Sequence, residues 1–247
     1  MSFNQEYKEQ FKTYANPMIL RSIFESLMHT ADKLIAGIFI GSTALVATTL
    51  VSPLMFFLAA IARLFISGLG AYIGLLIGRN NIKKANQTAS SILLFLLFLG
   101  IVLIIPPFFF SNEFVYLLGA RGIFKDLAAD YIKIFSLSFP FLLVGRGMDA
   151  LILNDDSPKF SFVLNIITTS SNLIFNIIAV AVFDFGIKGL AFATVISCIL
   201  EFLGGAYYFF NKSKYNKFSI FFLPYNRISY FNFKLSITNE HILYIYK

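Results

Sequence analysis

The chain has 247 residues, of which 57% are hydrophobic, 17% aromatic and only 13% charged. A soluble domain is about 45–50% apolar and about 25% charged, and one of this length could not bury so many apolar side chains. The same figures exclude a disordered chain, a collagen and a coiled coil. The composition predicts an integral membrane protein, in which the net charge of +7 comes from basic loops on one side.

The apolar stretches predict six membrane-spanning helices. A hydrocarbon core about 30 Å thick requires about 20 helical residues, and backbone groups in lipid need hydrogen-bond partners within the helix. The stretch Leu34–Ala62 lacks Asp, Glu, Lys and Arg, and the sequence Gly41-Ser42-Thr43 divides it into the end of one span and the start of another. The predicted spans lie near residues 17–40, 45–78, 87–110, 127–151, 160–183 and 187–210.

The predicted fold class is therefore an all-α membrane protein, a six-helix transmembrane bundle over residues 17–210. Residues 1–16 form a cytoplasmic N-terminal segment, and residues 211–247 form a basic, aromatic cytoplasmic tail or linker. Segments on the side of the termini contain twelve Lys and Arg residues, whereas the opposite loops contain three. The excess of basic residues places both termini of this multi-pass cell-membrane protein in the cytoplasm.

The first span carries a stripe of ionisable side chains. At about 100° per residue, Arg21, Glu25, His29 and Asp32 lie within about 80° of one another. An ionisable group at bilayer depth costs at least ~2.5–3.5 kcal/mol, so the stripe indicates a face that lines a cavity. Asp32 is the candidate to hold H⁺ or Na⁺. Alternatively, Arg21 and Glu25 pair and extend to the membrane surface, and His29 is a packing residue.

The fifth span carries a complementary set of neutral polar groups. Asn165, Thr169, Asn172 and Asn176 lie within about 60° of one another by the same geometry. Such groups can simply bond helices together. Their oxygens are also suitable ligands for Na⁺, and facing Asp32 across a cavity they would form a cation site.

The sequence shows no signature of an enzyme. It contains none of the common metalloprotease, redox, nucleotide-binding or serine-hydrolase motifs, so we predict no catalytic residue and no metal site. The only two histidines, His29 and His241, cannot form a two-histidine site if one lies in the tail. Nothing beyond the basic tail suggests nucleic acid as a partner, and no cofactor is expected apart from a coupling ion.

Four segments carry a resemblance to a known family. From Pro17, fifteen residues before Asp32, through the run ADKLIAGIFIGSTALVATTLVSP, the chain resembles the multidrug and toxic compound extrusion (MATE) transporters. Three later segments agree in order: IGRNNIKKANQTAS, NDDSPKF and NLIFNIIAVAVFDFGIKGLAFATVIS. The resemblance covers about residues 15–210 and corresponds to the N-terminal six-helix half of such a transporter.

The resemblance implies antiport of small cationic amphiphiles driven by H⁺ or Na⁺. Asp32 matches the first-helix aspartate linked to cation coupling, and Asn172 matches the fifth-helix asparagine. Asn176 stands where many members have a second aspartate, so a two-carboxylate proton mechanism is not implied here. Glu25 occupies a position that is often Gln. The cation-coupling residues are thus Asp32, Asn172 and Asn176, and the cavity-lining residues are Glu25, His29, Asn165 and Thr169.

The leading hypothesis is half of a cation-coupled multidrug antiporter that is incomplete by itself. Alternating access requires two bundles around one site, so we expect a second six-helix lobe, either a homodimer or a separately encoded half, in addition to membrane lipid. One alternative is an inactive membrane remnant or scaffold. Another is half of a lipid-linked saccharide flippase, which would favour a larger and more basic cavity.

Overall fold

The computed structural model describes residues 3–213, without the side chains of residues 3–10, 12–14, 29 and 69. Most of the predicted tail, residues 214–247, and the cavity-lining role of the His29 side chain therefore lie outside the described part. The described residues form eight α-helices and short connecting turns, and they contain no strand. Their bounds are α1 Phe3–Ile35, α2 Ser42–Gly78, α3 Ile82–Phe109, α4 Ser111–Leu117, α5 Ile123–Phe135, α6 Phe139–Asn154, α7 Pro158–Ile177 and α8 Gly186–Asn211.

Two of the long helices end in a wider π-helical turn. The turn Ala36–Ile40 follows α1, and the amide of Gly41 donates to the carbonyl of Ala36 at 3.1 Å. The turn Ile178–Val182 follows α7 in the same way. Gly41 has a φ of 115°, a conformation open to glycine and strained for other residues. The predicted break at Gly41 is therefore where the first two spans separate.

Within residues 3–213, five helical segments are long and apolar enough to cross a bilayer. Their bounds are Ser42–Gly78, Ile82–Phe109, Ile123–Asn154, Pro158–Val182 and Gly186–Asn211. They match five of the six predicted spans, and the all-helical membrane fold is confirmed. The first predicted span coincides with the second half of α1 and its π turn. This helix contains too many charged residues to be counted with the other five.

The structure differs from the prediction at two connections. The predicted span 127–151 is divided between α5 and α6 by the 3₁₀ turn Ser136–Ser138, because Pro140 stands in the first turn of α6, where a proline begins a helix readily. The short helix α4 was not predicted, since seven residues show too little periodicity to be recognised.

The helices enclose two apolar cores, one towards each end of the bundle. The first core surrounds Ile35, Val51, Phe135 and Leu190. The second core surrounds Ile73, Leu96, Ile152 and Tyr208. Between them α3 and α6 touch directly, and a Cβ at Gly100 would stand 2.5 Å from the Cα of Pro140.

Candidate functional site

The polar stripes of the first and fifth predicted spans face each other along α1 and α7. Near the start of the contact the Arg21 guanidinium donates to the hydroxyl of Ser161 at 3.0 Å. Farther along, Asn165 donates to a carboxylate oxygen of Glu25 at 2.6 Å. Near the ends of the two helices, Asn176 donates to Asp32 at 2.9 Å. The interface contains two separate polar regions.

The first region is the carboxylate–amide site, formed by Asp32, Asn172 and Asn176. The end of the Asn172 amide lies 3.2 and 3.1 Å from the two carboxylate oxygens of Asp32. A carboxylate only accepts hydrogen bonds, so the amide nitrogen of Asn172 is assigned to this position. In this arrangement two amides on successive turns of α7 donate to one carboxylate on α1. The structure brings these three predicted residues together, and their role in coupling stays a prediction.

One oxygen of this site lacks a donor. Asn176 is only 2% exposed, and its side-chain oxygen has no hydrogen-bond partner among the described residues. Buried polar atoms are normally paired with protein or with water. The oxygen beside Asp32 is therefore a place where a water molecule or a cation would gain a ligand.

Two neighbours of the site were not predicted. The hydroxyl of Thr194 on α8 lies 3.5 Å from the Asn172 side chain, and Tyr131 on α5 is buried close to Asp32 and Thr194. Thr194 shares a polar face of α8 with Ser197 and Glu201, a spacing that could have indicated it. Tyr131 follows Asp130 on α5 and has no comparable signal, so its position required the structure.

The second region is the charge cluster, which joins α1 to α6, α7 and α8. Its members are Arg21, Glu25, Arg146, Asp149, Ser161, Asn165 and Glu201. Arg21 donates to Asp149 at 2.5 Å and to Glu25 at 3.1 Å. Arg146 also donates to Glu25, at 3.3 Å. Each guanidinium therefore contacts carboxylates from more than one helix.

The charge cluster gives partners to residues that sequence analysis could not pair. Asp149 also accepts from the hydroxyl of Ser161 at 2.5 Å. The pairing of Arg21 with Glu25 was an alternative at the sequence level, and the two do pair, but both side chains are largely buried, with exposed fractions of 14% and 26%. They are held inside the lobe by α6 and α7 and do not extend outward.

The remaining predicted residues separate between the regions. Asn165 belongs to the charge cluster, because its amide nitrogen donates to Glu25 at 2.6 Å. Thr169 is half-buried between the two regions and makes no side-chain hydrogen bond with the described residues. Of the predicted cavity-lining residues, Glu25 and Asn165 thus lie in the charge cluster, and Thr169 lies between the two regions.

Comparison with known proteins agrees with this arrangement. The profile of the MatE family matches residues 17–178. The chain is 26% identical over 200 residues to the multidrug export protein MepA of Staphylococcus saprophyticus, a match covering 81% of this chain and 44% of that protein. MepA of Staphylococcus aureus strain RF122 shows the same identity and coverage.

Solved structures share the fold. A MOP superfamily transporter from Pyrococcus furiosus superposes with a TM-score of 0.82 at 21% identity, covering 91% of this chain and 50% of that one. An outward-facing multidrug resistance MATE family transporter gives a TM-score of 0.81 at 21% identity, covering 91% of this chain and 49% of that one. The chain thus spans about half the length of the relatives it matches.

Proposed function

Because the chain belongs to the MatE family, a family of multidrug efflux transporters, we propose that it forms one six-helix lobe of a cation-coupled exporter. The coupling ion is H⁺ or Na⁺, and the cargo is a small cationic amphiphile. The observation that carries the proposal is the contact of the Asp32 carboxylate with two amides of α7, those of Asn172 and Asn176. A carboxylate partly removed from water favours binding of a proton or another cation.

The Asn172 amide supplies a means of switching the site. With its nitrogen toward Asp32 it donates to the carboxylate, which suits a site without a cation. Turned by half a revolution, it presents its oxygen at the same place, 3.1–3.2 Å from Asp32. The site then offers carboxylate and amide oxygens together, a ligand set suited to Na⁺. For H⁺, the protonated carboxyl would donate to one of these amide oxygens.

The absence of a second carboxylate limits the mechanism. Asn176 contacts Asp32 directly, so it occupies the position where an acid would share a proton with Asp32. A neutral amide cannot release a proton. The proposed site therefore exchanges one charge, carried by Asp32, in each cycle.

The proposed transporter requires a second lobe. Alternating access is the movement of one bundle against another around a shared site, and this chain supplies one bundle. The partner is a second copy of the chain or a separately encoded half. Both termini lie in the cytoplasm in this proposal, and Asp32 opens toward the space between the lobes.

The test is efflux of ethidium from cells that make the full chain, with and without an imposed H⁺ or Na⁺ gradient. We expect gradient-dependent efflux with the wild type and its loss with Asp32→Asn, which preserves the side-chain shape. The matched control is Asp130→Asn, which removes a carboxylate that is 49% exposed and should leave efflux unchanged. Equal efflux from the wild type and Asp32→Asn would contradict coupling at Asp32.

If the wild type shows no gradient-dependent efflux, the oligomeric state of the chain must be measured. Light scattering of the purified chain after size-exclusion chromatography gives the number of copies per particle. A dimer without gradient-dependent efflux would contradict the homodimeric exporter and leave only the separately encoded half, to be tested by co-expression.

A further inference from the structure

We propose that the charge cluster is a second proton-binding site, in which the carboxyl group of Glu201 holds one proton. The site lies apart from Asp32, since Glu25 and Asp32 are seven residues apart, about 10 Å along α1. The proposal stands independently of the exporter function, because it concerns groups within this lobe alone.

The first observation is an imbalance of charge. Three carboxylates, those of Glu25, Asp149 and Glu201, face the two guanidinium groups of Arg21 and Arg146. When all five groups are ionised, the cluster has one negative charge in excess. Isolated buried charges are so costly that the group neutralises instead, so the cluster is most stable with one added proton.

The contacts identify Glu201 as the acid that holds it. Glu25 and Asp149 each accept hydrogen bonds from Arg21, at 3.1 and 2.5 Å. The nearest cationic atom to Glu201 is Nε of Arg146 at 3.7 Å, beyond hydrogen-bond range. Glu201 is 9% exposed, and no described residue donates a hydrogen bond to it.

The side chain of Glu201 is surrounded by charged groups and packs closely against α6. The charged groups that face it are Arg146 and Asp149 from α6 and Arg21 and Glu25 from α1. A Cβ at Gly145 would stand 3.3–3.4 Å from its side-chain carbons, so α6 lies directly against it. The hydrogen bond that Arg146 makes with a carboxylate goes from Nη1 to Glu25, at 3.3 Å, whereas its Nε stays 3.7 Å from Glu201.

The second, independent observation is a missing donor in the same cluster. Asn165 is 5% exposed, and its nitrogen donates to Glu25 at 2.6 Å. Its oxygen has no hydrogen-bond partner among residues 3–213. Buried polar atoms are normally paired, so the cluster lacks one donor as well as one positive charge. An added proton in the cluster supplies the missing charge.

The first test compares two acid-to-amide changes in the full chain. Glu201→Gln mimics a protonated acid, so we expect its thermal unfolding midpoint in detergent to equal that of the wild type at neutral pH. Asp149→Asn removes a charged partner of Arg21 and should lower the midpoint markedly. If Glu201→Gln lowers the midpoint as much as Asp149→Asn, Glu201 is an ionised partner of Arg146 and the proposal is wrong.

The second test observes the proton directly. Infrared difference spectroscopy of Asp32→Asn, which removes the acid of the carboxylate–amide site, should show the carbonyl stretch of a protonated carboxyl at neutral pH. The band should disappear in Asp32→Asn combined with Glu201→Gln and should shift in deuterium oxide. A band that persists without Glu201, or one that NaCl but not KCl abolishes, would overturn the assignment, the latter in favour of a sodium site.

Discussion

The carboxylate–amide site and the charge cluster lie on the same α1–α7 interface, yet they stabilise carboxylates in opposite ways. Asp32 contacts two neutral amides, from Asn172 and Asn176. Asp149 contacts the guanidinium of Arg21 at 2.5 Å. Amides can exchange one hydrogen-bond partner for another without changing charge, whereas separating a buried ion pair leaves a charge uncompensated.

Because their carboxylates have different partners, we expect the two regions to have different functions. The carboxylate–amide site contacts Asp32 with the neutral amides of Asn172 and Asn176, and we propose that it binds and releases the coupling cation. The charge cluster contains its own counter-ions and joins α1 to α6 and α7, with α8 connected through Arg146 and Glu201. We expect it to fix the position of α1, while the carboxylate–amide site exchanges its ligand.

The largest expected effect comes from breaking the charge cluster. Arg21→Gln leaves Asp149 and Glu25 without their shared cation, and removal of one partner from a buried pair costs about 3–5 kcal/mol. The free energy of unfolding, measured by titration with a denaturing detergent, should fall by that amount. The control is Lys83→Gln on α3, an exposed position outside the predicted span 87–110, where a change within about 0.5 kcal/mol is expected. Equal losses in the two variants would show that the cluster does not hold α1.

A smaller effect is expected in the carboxylate–amide site. Asn176→Ala removes a hydrogen bond to a carboxylate, which contributes about 1.5–3 kcal/mol. The same titration should detect the loss, and cation binding should weaken in parallel.

Thr169→Ala on the same helix is the matched control for Asn176→Ala. The Thr169 side chain makes no hydrogen bond with the described residues, so both stability and cation binding should remain close to the wild type. A loss of stability in Asn176→Ala as large as that in Arg21→Gln would remove the proposed distinction between the two regions.

The smallest change in the free energy of unfolding is expected when an exposed ion pair is broken. Lys188 lies 3.2 Å from Asp130, and the two side chains are 55% and 49% exposed. Exposed pairs contribute about 0–1 kcal/mol and are screened by salt. Lys188→Gln should therefore change the unfolding free energy little, and less still at high salt. A loss near that of Arg21→Gln would mean that burial does not set the strength of ion pairs in this lobe.

Much of the fold followed from the sequence because lipid imposes simple rules. Helix length, charge-free stretches and the break at Gly41 located the spans. The stripe containing Glu25 and Asp32 was visible from helical spacing alone, as was the one containing Asn165 and Asn176, and the structure places the two stripes face to face.

The rest depended on how distant helices pack. The arginine partners of Asp149 and Glu201 lie on other helices, far away in sequence, so no spacing rule could pair them. Asn165 was grouped with Asp32 by its helical angle, yet it contacts Glu25, because helical angle gives the face of a helix and not the position along it. Tyr131 lies near Asp32, and Thr194 near Asn172, only because of the packing of α5 and α8.

The π-helical turns that follow α1 and α7 begin just beyond the carboxylate–amide site, at Ala36 and Ile178. Each is closed by a bond that spans five residues, from Gly41 to Ala36 and from Phe183 to Ile178, both at 3.1 Å. Wide turns of this kind occur often at functional sites. If such a turn tightens to the ordinary four-residue spacing, the helix changes its register by one residue at that end only. The end of α1 that holds Asp32 can thus rotate while the end that contains Arg21 stays in place.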